Sequence, residues 1–283
     1  MLFNPLKKSN KDFTTSDLPS NRFEVIKDVI LVDFPLLLKL GLLITIFAIP
    51  LLAGIVAKDV LLIGFKTMVD NGEIDQSAYI NMYNTTRIAF SGLIGISFPL
   101  LGIGFAGAIR VIRQRVWQNP VFLISDFTEG IKLNIKQYLI HGFIIGITYF
   151  GLQMLPYTGL NEIWVGVFYV LFYGALFPVS ILAMNMAQVY TNSFILNVKN
   201  SIFIYFKQIF VLAALSLLVV SGFLTQFITM VTVKYIVLAF YFIVLLPLFL
   251  LINIVYTYYC FDKFINKNRF PELYDRGIYR KIK

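Results

Sequence analysis

The residues with the most obvious chemical potential stand together. Gly102-x-Gly104-x-x-Gly107 has the spacing of a dinucleotide-binding turn, and Arg110, Arg113, Arg115 and Trp117 follow directly. Such glycines serve a pyrophosphate where a strand hands over to a helix whose first N–H groups face the phosphates. Here they sit inside an apolar run of membrane-spanning length. No strand-like run precedes them, and no acidic residue follows about 20 residues on at a strand end. The nucleotide reading fails, and no cofactor is expected. His141 is the only histidine and Cys260 the only cysteine, so neither an intrachain disulfide nor a three-ligand zinc centre is expected. No nucleophile, base and orienting group come together, and the chain is not expected to be an enzyme.

Composition explains where these residues must work. Of 283 residues, 58% are hydrophobic and 14% charged. Soluble domains carry about 45–50% apolar and about 25% charged residues. Mean hydropathy is +0.78. The expectation is an all-α, polytopic transmembrane bundle, because lipid leaves no partner for an open strand edge. A helix crosses the bilayer in about 20 apolar residues. Six runs qualify: 36–56, 88–108, 138–157, 163–184, 209–227 and 235–257. They divide the chain into a polar N-terminus (1–35), the six-span domain (36–257) and a basic tail (258–283). No signal peptide precedes the first run, so the chain is expected to insert by its own spans.

The net charge of +9 would suggest nucleic acid in a soluble protein. In a membrane protein it reports topology instead, and no nucleic-acid partner is expected. Nineteen Lys and Arg lie before residue 36, in 109–136, in 185–207 and in the tail. Only Lys58, Lys66, Arg87 and Lys234 lie on the other side, with Lys39 inside the first span. By the positive-inside bias, both termini are expected in the cytoplasm of a cell-membrane protein. Lys58–Arg87 then forms a long polar outer loop, and 109–136 and 185–207 form long amphipathic inner connections. Arg22–Asp33 suits an interfacial helix, with Asp33 as N-cap of the first span and Pro35 in its first turn. Residues 10–21 are polar and expected to be mobile.

Within the spans, Gly92, Gly95, Gly102 and Gly107 make a strip that lets a neighbouring helix approach closely. Pro50, Pro99, Pro178 and Pro247 each remove a helical hydrogen bond. Phe98-Pro99 leading to Lys136-Gln137, and Phe177-Pro178 leading to Lys207-Gln208, suggest a repeated helical hairpin. His141 is either a functional intramembrane group or a residue snorkelling or hydrogen-bonded between helices. Gln153, Asn185, Gln188 and Asn253 suit interhelical hydrogen bonds better than an ion path. The basic stretch Arg110, Arg113, Arg115 with Trp117 is either an orientation anchor or, with Asp126, Phe127, Lys132 and Lys136, a docking face for a partner.

One stretch resembles a known family. Pro99-x4-Gly104 leads into the arginines, and Asp126-Phe127-x-x-Gly130-x-Lys132-x-Asn134-x-Lys136-Gln137 follows. This resembles the YesL-like bacterial membrane proteins, a domain of unknown function. Its members carry Pro-x-x-Thr-x-Gly, a basic exit and an "FFxxFKxNFKQ" segment. Gly102 stands in place of the threonine, and Thr128, Ile131 and Ile135 in place of aromatic residues. The likeness covers roughly 35–215 and is specific over about 40 residues. It implies that Leu51–Phe98 is an insertion carrying an extra span and an outer loop. Members are often encoded near carbohydrate ABC-transporter components. The resemblance therefore implies an accessory role beside sugar uptake, with transporter components as partners besides lipid. A permease, or a membrane organiser without a ligand, are the alternatives. No permease coupling motif of the "EAA" type is present, and the sequence does not set the oligomeric state.

Overall fold

The computed structural model describes residues 18–279. They are almost entirely helical, with no strand among them. Nine helices are used below: α1 (Arg22–Asp70), α2 (Gln76–Val116), α3 (Leu123–Met154), α4 (Glu162–Leu171), α5 (Phe177–Val189), α6 (Phe194–Lys207), α7 (Ile209–Val220), α8 (Val231–Phe240) and α9 (Leu246–Phe261). Pairs α4/α5 and α8/α9 are each continuous through a π turn, Phe172–Leu176 and Tyr241–Leu245. Among the described residues, six helices are long and apolar enough to cross a membrane, and the chain is a multi-pass membrane protein.

The helices run well past the apolar stretches. α1 is 49 residues and α2 is 41, about 70 and 60 Å at 1.5 Å per residue, against a hydrocarbon core of about 30 Å. Lys58–Arg87 is therefore no irregular loop. It is the tip of a helical hairpin whose turn occupies only residues 71–75. There Gly72 (φ 74°) reverses the chain. Its N–H donates to Val69 (2.9 Å) while Glu73 N–H donates to Met68 (2.9 Å), closing the left-handed helix end that glycine favours. Asp75 then caps α2 by accepting from Ala78 N–H at 2.7 Å. Residues 51–98 carry no span of their own; they are the facing ends of α1 and α2 plus this turn.

Opposite this hairpin end is the terminal end, where Tyr279 N–H donates to Pro19 C=O at 2.9 Å. The connections here are short: 117–122 between α2 and α3, and 190–193 between α5 and α6. Residues 109–136 are the ends of α2 and α3 about a short link, whereas 185–207 keeps an amphipathic connection, because α6 lies between α5 and α7 without being one of the six spans. Residues 22–33 form the start of α1, capped by Asn21, whose side chain accepts from Glu24 N–H at 2.9 Å. Asp33 caps nothing; it marks a break inside α1 (φ −119°, ψ 25°) just before Pro35. Residues 258–279 form no separate tail. Tyr258, Cys260 and Phe261 are core, and Gly277 packs on the Val116–Trp117 backbone. The segment 1–17, including most of the polar 10–21 stretch, lies outside the described residues.

Three intramembrane prolines shape the packing in one way. Proline at position i removes the N–H that would pair with the carbonyl at i−4. Pro99 frees Gly95 C=O, and a Cβ on Gly146 of α3 would stand 2.1 Å from that oxygen. Pro178 frees Gly174 C=O, which accepts from the Tyr205 hydroxyl of α6. Pro247 frees Ile243 C=O, and a Cβ on Gly41 of α1 would stand 2.0 Å from it. Each freed carbonyl thus meets a glycine or a hydroxyl on a neighbouring helix. In hydrocarbon this matters, because no water replaces the missing donor. The glycine strip of α2 works similarly: Gly95 faces Gly146, Gly102 faces the Tyr138 backbone, and Gly107 receives the Phe127 ring. The two halves of the expected hairpin repeat, α2–α3 and α5–α6–α7, differ where the sequence made them alike. Lys136-Gln137 lies inside an unbroken α3, whereas Gln208 (φ −137°) breaks α6 from α7.

Candidate functional site

The bundle encloses a central cavity. On α1, Leu51, Ile55 and Lys58 recur on one helical face, as do Ile94, Phe98, Leu101 and Phe105 on α2. Gly142, Ile145 and Tyr149 come from α3, Phe177 and Met184 from α5, Val219 and Val220 from α7, and Leu238, Tyr241 and Leu246 from the last span. All six spans contribute. Space unfilled by protein atoms amounts to about 900 Å³, counted to its open side. Its polar groups gather at the hairpin end, where Lys58, Lys234, Thr225 and Gln226 line the mouth. Gln226 is exposed and Lys58 half-buried, whereas Lys234 is buried and paired with Asp59.

The polar residues singled out in the spans are elsewhere. Asn185 Nδ2 donates to Asn253 Oδ1 (3.2 Å) and Thr257 Oγ1 (3.4 Å), tying α5 to α9. Gln188 Nε2 donates to Ala106 C=O at 2.7 Å, and Gln153 Nε2 to the Tyr169 hydroxyl at 3.2 Å. These are interhelical ties, as the sequence suggests, and none of the four lines the cavity. His141 is 2% exposed, and neither ring nitrogen has a hydrogen-bond partner among the described residues. It neither snorkels nor bonds between helices. Its ring lies against Phe194 with centroids 4.8 Å apart.

The arginines are turned into the protein. Arg110 pairs with Glu129 one helix away. Arg113 donates to Gln188 C=O and stacks over Trp117, whose ring also carries Arg276 at 4.4 Å. Burial is what lowers the hydration of these guanidinium groups, and protein acceptors and the indole face replace water. Arg115 bridges to α1 before and at its break: Nη2 meets Asp28 at 2.9 Å and Nε meets Asp33. Asp126 accepts from Phe122 N–H at 2.7 Å and caps the start of α3, and Phe127 is core. Of the docking set, only Lys132 and Lys136 are exposed, one turn apart on α3. The docking face read from the sequence therefore shrinks to these two lysines. Arg110 and Arg115 find carboxylates within the chain, and Arg113 finds a backbone carbonyl and an indole face.

A second network closes the terminal end. Arg22 bonds Asp262 at 2.6 Å and Arg276 C=O at 3.0 Å. Asn266 donates to Asp262 at 2.8 Å and accepts from the Tyr190 hydroxyl at 2.6 Å. Burial and the Asp262 carboxylate push the Tyr190 phenol well above the usual tyrosine range, so it stays a neutral donor. The sequence reading missed this network and the cavity mouth. Arg22 and Asp262 are 240 residues apart, and Lys234 and Asp59 are 175. A lysine opposite an aspartate near span ends was the only local signal.

No group of His, Cys, Asp and Glu suited to a metal ion occurs among the described residues. No protein-family model, curated protein or solved structure matches the chain.

Proposed function

We propose that this is a non-enzymatic protein of the cell membrane, with both termini cytoplasmic, that serves as an accessory to a transporter. The observation carrying this over a permease is the interior. Beyond the polar groups at its hairpin-end mouth, the cavity between the six spans is lined largely by apolar side chains, and Gln153, Asn185, Gln188 and Asn253 are spent on helix–helix ties away from it. A permease for a polar solute needs polar groups along its path, since a bare apolar passage forces desolvation. The likeness to the YesL-like proteins around 99–137 supports a carbohydrate transporter as the partner. The exposed pair Lys132 and Lys136 at the terminal end is the surface we assign to it.

Co-purification from native membranes after mild solubilisation tests this. Transporter subunits should accompany the chain, and Lys132→Glu with Lys136→Glu should release them while membrane level stays normal. A partner-free protein whose deletion leaves neighbouring transport unchanged would sink the reading. Orientation is tested separately. Ser77 and Ser125 are both exposed, at opposite ends of the bundle, and the one native thiol, Cys260, is buried. In intact cells an impermeant reagent should modify Ser77→Cys and spare Ser125→Cys.

A further inference from the structure

We infer that the central cavity holds the acyl chain of an anionic lipid, drawn from the leaflet at the hairpin end, with its headgroup at Lys58 and Lys234. This stands whether or not the chain serves a transporter. Three features select the occupant: length, lining and charge.

The α2 wall runs from Ile94 to Phe105, roughly 16 Å of helix rise. That is about half of a 30 Å hydrocarbon core, the length of one lipid tail. Its lining, with Ile94, Phe98, Leu101, Ile145, Val219 and Leu246, suits a hydrocarbon chain and offers a sugar few partners for its hydroxyls. Water is a poor occupant, because a cavity lined by Leu, Ile and Phe stays dry.

Charge then selects the headgroup. Lys234 and Arg87 both act electrostatically on Lys58 at this end, and Asp59 is the carboxylate set against them. Asp59 is taken by Lys234, and Lys58 makes no ion pair among the described residues. Three cations against one carboxylate leave the mouth positive, beside Gln226 and Thr225 as polar partners. A phosphate-bearing headgroup offers acceptors for these groups, and a zwitterionic one brings a cation that they repel.

The test uses the full chain in mild detergent, with bound lipid counted by native mass spectrometry. The probes are phosphatidylglycerol and phosphatidylcholine with identical chains, offered together. One phosphatidylglycerol per chain is expected, in clear preference to phosphatidylcholine. Lys58→Gln should lower that preference about fivefold, as expected for one lysine near a membrane surface. Lys66→Gln, an exposed lysine of α1 outside the cavity, should leave it unchanged. Val220→Phe fills the cavity and should abolish retention of either lipid. If that variant misfolds, Ile55→Phe at the half-buried rim takes its place. Equal retention of the two lipids would overturn the inference. So would equal effects of Lys58→Gln and Lys66→Gln, or full retention in a folded cavity-filled variant. Displacement of the lipid by soluble glycerol phosphate would also overturn it, because the headgroup alone would then suffice.

Discussion

Gly146→Ala tests the pairing of proline-freed carbonyls with glycines. The added Cβ would lie 2.1 Å from Gly95 C=O, where ordinary contact begins at 3.4 Å. Both atoms belong to rigid helices, so α2 and α3 must part by more than an ångström. A gap of about 1 Å forfeits up to half of each carbon–carbon attraction, which is about 0.1–0.2 kcal/mol per pair. Over a few tens of pairs between Gly92 and Gly102 and their α3 neighbours, the loss is roughly 2–3 kcal/mol, within the usual range for overpacking. Alanine's better helix propensity returns up to about 1 kcal/mol. Gly151→Ala on the same helix supplies the control, because nothing lies within 4 Å of a Cβ there. Propensity is common to both variants, so their difference isolates the steric cost at about 2–3 kcal/mol. Unfolding in mixed micelles of rising dodecyl sulfate fraction, followed by tryptophan fluorescence, measures it. Equal midpoints for Gly146→Ala and Gly151→Ala would refute the close approach and the role given to Pro99.

Other consequences are open to measurement. Tyr205→Phe leaves Gly174 C=O without its hydroxyl donor and should cost about 0.6–1.7 kcal/mol, the span of interhelical hydrogen bonds in membranes, in the same unfolding assay. Arg115→Lys cannot hold Asp28, Asp33 and Gln118 at once, and should cost about 1–3 kcal/mol while insertion and orientation stay normal. A loss as small as that for an exposed lysine exchange would return Arg115 to a topological role. Asp75 accepts from Ala78 N–H and from the Ser77 hydroxyl, which hold its carboxyl below the usual range. Its folded pKa is depressed, so its contribution is complete above the unfolded value and lost as pH falls through the folded one. Protection of the Ala78 amide, relative to its intrinsic exchange rate at each pH, should therefore fall in acid, and Asp75→Asn should remove that dependence while keeping the cap.

What could be read from the chain beforehand depended on how far apart the cause and its partner lie. The six spans were legible because each apolar run is continuous and long enough on its own. The α2 glycine strip was legible for the same reason, since its spacing is local. The helix extensions were not. Residues 22–33 and 57–70 mix charge with apolar residues, and without their neighbours such stretches read as surface. The arginines were misplaced because a cluster of positive charge reads as outward-facing until its carboxylates are found, and Asp28 and Asp33 lie more than 80 residues from Arg115. The cavity was invisible in principle: Ile94 facing a void and Ile96 facing lipid are the same letter, and only the arrangement of six helices separates them.

The meeting of the first and last helices also sets an order of events during synthesis. Arg22 leaves the ribosome 240 residues before Asp262, a wait on the order of 10–50 s at 5–20 residues per second. Through that interval the bundle is an open ring. The Arg22 guanidinium lacks its carboxylate, the α1 face around Gly41 lacks the Ile243 carbonyl it is cut to receive, and one wall of the cavity is missing. The final helix therefore acts as a keystone. A chain truncated before α8 keeps five acceptable membrane spans but exposes every surface that closure hides, which is the state that membrane proteases and chaperones recognise.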